Sequence, residues 1–70
     1  MAELIDARGL SCPQPVLLFL TAAKKSPDGE FTVLVDNEAS RENVSRAARN
    51  SGFTVESTED GADFRIDIRK

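Results

Sequence analysis

Histidine is absent from these 70 residues, and cysteine occurs once, at Cys12. Without an imidazole the chain has no Cys-His catalytic pair and none of the usual zinc sites, and one thiol cannot close an internal disulfide. Any cysteine chemistry must therefore run without a histidine base, and no metal site or cofactor is expected. Apolar runs long enough to span a bilayer are missing, as is a secretory signal pattern, so no membrane association is expected and the default location is cytoplasmic. Positive charge is short as well. Nine Lys and Arg against twelve Asp and Glu leave a formal charge of -3, which argues against direct, tight nucleic-acid binding through phosphate neutralisation. What remains, 40% hydrophobic and 30% charged, is ordinary for a globular protein. Seventy residues make a single domain, 1–70, that buries only roughly 60% of its unfolded surface.

The one cysteine lies in the run Leu10-Ser11-Cys12-Pro13-Gln14-Pro15. Proline suits a first helical turn, where the backbone donors have no partner inside the helix and the fixed φ is already near-helical. The run therefore predicts a helix from Pro13 to about Lys25 with Cys12 as N-cap. Pro13 and Pro15 remove two of the four open donors, which leaves the Gln14 N–H as the natural donor to the sulfur. A helix N-terminus favours negative charge and lowers the pKa of a thiol placed there, and Arg8, four residues earlier, is a candidate helper charge. The plain alternative is that Cys12 is a small buried residue that merely caps the helix.

Along the chain, Glu3–Asp6 reads as a short strand. In the first helix Val16, Phe19, Leu20 and Ala23 form one stripe, expected to be the core face, while Leu17 and Leu18 fall outside it and are candidates for partner docking. Ser26-Pro27-Asp28-Gly29 has the chemistry of a turn. Phe31–Asp36 alternates as a buried strand, and Asp36, Asn37 and Ser40 are each competent to cap a second helix running to about Ser51. That helix places Ser40, Val44, Ala47, Ala48 and Ser51 on a narrow inner face. Arg41, Glu42, Ser45, Arg46 and Arg49 form the outer one, with Glu42 and Arg46 at the favourable i, i+4 spacing. Gly52-Phe53 is a helix stop. Two alternating stretches, Phe53–Thr58 and Phe64–Arg69, flank Asp60-Gly61, which predicts a type I′ hairpin. The order is βαβαββ, an α/β (α+β) two-layer sandwich with two helices packed on one face of a four-stranded mixed sheet.

With no base, no second thiol and no metal set, one activated thiol can form a mixed disulfide, or accept and pass on sulfur as a persulfide. A domain this small builds no deep pocket, so donor and acceptor sites would lie on partner proteins, and the chain reads as a carrier. The stretch Asp6-Ala7-Arg8-Gly9-Leu10-Ser11-Cys12-Pro13-Gln14-Pro15 resembles the signature of the TusA (SirA-like) sulfur carrier family, and the likeness extends through Lys70. The resemblance implies a βαβαββ sandwich and a persulfide on Cys12, with Asp6, Gly9, Pro13 and Pro15 matching the motif around it. It also implies a cysteine desulfurase as sulfur donor and a DsrE-like protein as acceptor. In the best-known branch the sulfur ends in tRNA thiouridine. The segments Val35–Ala39, Glu42–Arg46 and Ser51–Phe53 are similar to the N-terminal domain of YedF-type proteins linked to selenium metabolism, which usually carry a second, DsrE-like domain. The final acceptor thus stays open among tRNA thiolation, selenium metabolism, sulfur oxidation and cofactor synthesis. A stand-alone relative and an excised domain both fit. The competing function is a non-catalytic interaction or regulatory module in which Cys12 only caps the helix.

Overall fold

The computed structural model describes residues 3–10 and 14–70. Strand β1 (Glu3–Asp6) is followed by helix α1 (Gln14–Lys25). Strand β2 (Phe31–Val35), helix α2 (Glu38–Asn50) and strands β3 (Thr54–Asp60) and β4 (Asp63–Arg69) follow. The sheet order is β1-β2-β4-β3, with β1 parallel to β2 and the other pairs antiparallel. Register explains the layering. Ile5 sits beside Val33, Val33 beside Ile66, and Phe31 beside Ile68, so one face carries an unbroken apolar surface. Phe19 and Ala22 of α1 and Val44 and Ala48 of α2 cover that face and complete the core. The opposite face is open, and there Arg65 pairs with Asp67 and Arg69 with Glu56.

The core turns on three phenylalanines, one from each region. Phe19 meets Phe31 and Phe53 edge-on at 5.6 Å between ring centroids, and Phe31 meets Phe53 at 6.0 Å. Edge-to-face geometry is the one favoured by the ring quadrupole. This cluster also corrects the expected face of α1. The buried residues are Pro15, Phe19 and Ala22, with Val16 and Ala23 packed on the flank, whereas Leu20 is 37% exposed. With Pro15 buried, the sector pointing at the sheet rotates toward 15, 19 and 22, the i, i+4, i+7 line, and leaves Leu20 at its margin.

α2 is capped by Asn37, whose side chain accepts from the Ser40 N–H at 2.8 Å. At its other end Phe53 N–H bonds Ala48 O at 3.0 Å and Gly52 N–H bonds Arg49 O at 3.0 Å, with Gly52 at φ +89. That is a Schellman stop. Ser45, expected on the outer face, is buried. β2 is buried at every position except the half-buried Leu34, because it is central. On the face away from the helices, Thr32 donates from Oγ1 to its cross-strand neighbour Asp67 at 3.0 Å. The β3–β4 hairpin closes on the pair Asp60 and Asp63, so the loop is Gly61-Ala62. Only Gly61 has positive φ (+65). This is the type II′ pattern, since type I′ needs positive φ at both loop residues, a conformation costly for Ala62.

Candidate functional site in the loop after the first strand

β1 ends where its ladder with β2 continues one step further, Ala7 N–H donating to Leu34 O at 2.8 Å. The chain then turns. Leu10 N–H bonds back to Ala7 O at 3.3 Å, and Gly9, third in the turn, has φ +80. A β-carbon at Gly9 would meet nothing within 4 Å, so glycine is required there by backbone conformation and not by crowding.

Asp6 and Arg8 brace this turn from the side. Arg8 grips Asp6 with both edges of its fork, Nε to Oδ1 at 2.9 Å and Nη2 to Oδ2 at 2.9 Å, and the Arg8 backbone N–H donates to Oδ1 at 3.2 Å. Its Nη1 reaches Asp63 at 3.5 Å. The side-chain and backbone hydrogen bonds from Arg8 pull the Asp6 carboxyl down to about 2 and raise the Arg8 pKa. Both groups are exposed, so the pair orients the turn more than it stabilises the fold. Arg8 is thus engaged by two carboxylates, and its structural contribution is to hold the turn.

A third carboxylate, which sequence reasoning treated only as a possible helix cap, ties the loop to the rest of the molecule. Asp36 Oδ2 accepts from the Gly9 N–H at 2.7 Å, and its Oδ1 accepts from Asn37 Nδ2 at 3.0 Å. Asn37 in turn caps α2. A chain of hydrogen bonds therefore runs from Gly9 through Asp36 and Asn37 to Ser40. The signal was available in the topology: β1 and β2 are parallel neighbours, so a residue just past the end of β2 lies beside the loop that follows β1.

Beyond the loop, α1 begins with Gln14 exposed and Pro15 buried against the core. Cys12 and Pro13, with the expected N-cap and the Gln14 N–H donation to the sulfur, lie outside the described residues. Leu17 and Leu18 are 54% and 42% exposed, as anticipated from the helical wheel. Leu18 lines a groove of about 390 Å³ between α1 and the free edge of β1, together with Leu4, Ile5 and Ala22, whereas Leu17 does not reach it.

Residues 3–70 match the model of the family described as Sulfurtransferase TusA. The chain belongs to the TusA family. A protein of Methanocaldococcus jannaschii bearing the name "Putative sulfur carrier protein" is 38% identical over 68 residues, covering 94% of this chain and 91% of that one. The crystal structure of a SirA-like protein from Desulfitobacterium hafniense superposes with a TM-score of 0.87 at 35% identity, over 94% of this chain and 93% of that one. TusA membership and this neighbour agree with the βαβαββ sandwich and with the resemblance to the TusA (SirA-like) family. Among the described residues no helix is long and apolar enough to cross a membrane.

Proposed function

We propose that this TusA-family protein is a sulfur carrier that holds sulfur as a persulfide on Cys12 and passes it between protein partners in the cytoplasm, residues 1–70 working as one domain. The observation that carries the reading is the family match over residues 3–70, joined to a chain whose only thiol stands two residues before the first residue of α1. In the first transfer the Cys12 thiolate attacks the terminal sulfur of a donor persulfide. A new S–S bond forms at Cys12, the donor's S–S bond breaks, and the donor leaves as a thiolate with its electron pair. The second transfer repeats the exchange toward an acceptor thiolate, so no oxidant or reductant is consumed. The donor is a cysteine desulfurase and the acceptor a DsrE-like protein.

The supporting residues divide by task. Asp6, Arg8 and Gly9 shape the turn that leads to Cys12. Pro13 belongs with Cys12 to the motif, Gln14 is the first residue of α1, Pro15 anchors the helix in the core, and Leu17 and Leu18 offer apolar contacts to partners. Incubation with a cysteine desulfurase and cysteine, followed by intact-mass measurement, tests the proposal. One added sulfur on the wild type and none on Cys12→Ala is the expected result. An unmodified wild type beside a control carrier that the same desulfurase does load would refute it and favour the interaction-module reading. Leu18→Asp is expected to keep the thiol's reactivity and weaken partner binding.

A further inference from the structure

The outer face of α2 differs from its sequence pattern in a way that leaves charge unbalanced. Glu42, four residues before Arg46, is positioned by sequence to neutralise it. Instead its Oε1 lies 3.7 Å from Arg41 Nη2, and Arg41 also takes Glu38 at 3.1 Å. Arg46 and Arg49 make no ion pair among the described residues. They are exposed cations on a chain whose net charge is -3.

The three arginines border a notch of about 200 Å³ that Ser45 also lines. Ser45 is only 4% exposed, and its Oγ has no hydrogen-bond partner; Arg41 Nε is buried and unpartnered too. A buried hydroxyl and a buried guanidinium N–H without acceptors are each unfavourable. Both can donate, and both lie beside two unpaired cations, so the missing group is an acceptor that carries negative charge. Arg41 is already fixed in place. Its guanidinium stands 5.3 Å over the Phe64 ring, and Nη1 reaches Ser57 Oγ at 3.4 Å.

We infer that the α2 notch formed by Arg41, Ser45, Arg46 and Arg49 binds one carboxylate side chain of a protein partner, flanked there by uncharged residues. Guanidinium forks match carboxylates bidentately, and the notch has room for one such group. Its rim argues against a nucleic acid. Glu42 lines the notch itself, and Glu38 and Glu59 line the adjoining groove, so a phosphate backbone that continued past the arginines would meet like charge. Arg41 leans on β3 and β4, on the side of the sheet away from the β1 edge. The inference does not depend on sulfur carriage.

The test is an NMR titration of the full-length protein at low salt with a short blocked peptide of alternating Glu and Gly, run beside single-stranded RNA of equal charge and inorganic phosphate. The expected result is shift changes at the Ser45, Arg46 and Arg49 amides with the peptide. Binding should weaken about tenfold in Arg46→Glu/Arg49→Glu and fall similarly at high salt. Both replaced side chains are exposed, and an unchanged far-UV spectrum will confirm that the variant folds; Arg46→Ala/Arg49→Ala is the substitute if it does not. Peptide shifts that avoid α2, peptide affinity equal in wild type and variant, or tighter binding of RNA or phosphate than of peptide would each overturn the inference.

Discussion

Asp36→Ala tests whether the Cys12 loop is held by the hydrogen-bond chain that crosses to α2. The substitution removes two acceptors at once, the oxygen that takes the Gly9 N–H at 2.7 Å and the one that takes Asn37 Nδ2 at 3.0 Å. A hydrogen bond to a charged group contributes about 1.5–3 kcal/mol when sheltered, but these are exposed and water replaces part of each, so about 1–2 kcal/mol for the two together is the reasoned loss. In a domain of this size that corresponds to a Tm lower by roughly 4–16 °C. Asp36→Asn keeps one acceptor oxygen and is expected to lose about half as much.

Thermal unfolding followed by circular dichroism gives the global figure, and native-state amide exchange gives the local one. The Gly9 amide should exchange faster in Asp36→Ala by more than core amides such as Val33 do. The Ser40 amide should follow, because Asn37 loses its anchor. A Tm within about 2 °C of wild type, with Gly9 exchange unchanged relative to Val33, would refute the clamp, since even the low end of the expected loss exceeds that.

Phe19→Ala removes the ring at the centre of the aromatic trio, and its expected cost of about 3–5 kcal/mol is a large share of the roughly 4–10 kcal/mol available to 70 residues; denaturant titration should show a midpoint lowered by roughly half or more. Gly61→Ala forces a side chain to φ +65 with no steric contact nearby, so unfolding should show a loss of about 1–2 kcal/mol from backbone conformation alone. The Asp6 carboxyl is depressed to about 2 from 3.8. A group with a lowered folded pKa stabilises above its unfolded value and loses that contribution as pH falls through the folded one. The stability difference between wild type and Asp6→Asn should therefore be present above about pH 4 and vanish toward pH 2; a constant difference over that range would contradict the Arg8 pairing. Alkylation of Cys12 should show an inflection well below that of a free thiol, near roughly 8.5, and an ordinary inflection would count against an activated thiol.

Much of the architecture was legible because it rests on local chemistry. The alternation of Phe64, Ile66 and Ile68, the Gly52 stop and the turn at Pro27 each act within a few residues, and each specifies its own element. The misreadings share a different cause. The face of α1 depends on where the sheet lies, and a wheel drawn from large apolar residues gave weight to Leu20 when a buried Pro15 and small Ala22 set the approach. Ser45 is buried for the same reason: neighbouring elements, not the residue's own pattern, decide exposure. Glu42 chose Arg41 over Arg46 because Arg41 is held against Phe64 within its reach, a cross-strand fact that helical spacing does not contain.

The candidate site divides along the same line. Its signature residues are contiguous and therefore readable, but the group that fixes the turn, Asp36, stands 27 positions from Gly9. Gly9 is tied to Asp36 on one side of the Cys12 segment, and Pro15 is driven into the core on the other. The chain on both flanks is therefore anchored, by a hydrogen bond at one end and by packing at the other. The two anchors differ physically. Packing of Pro15 is insensitive to salt, whereas the Asp6–Arg8 fork weakens as ionic strength rises and as pH falls toward the lowered Asp6 value. A loop held in this way can lose its entry geometry while its helix stays docked, so acid or high salt should disturb the presentation of Cys12 before it disturbs the fold.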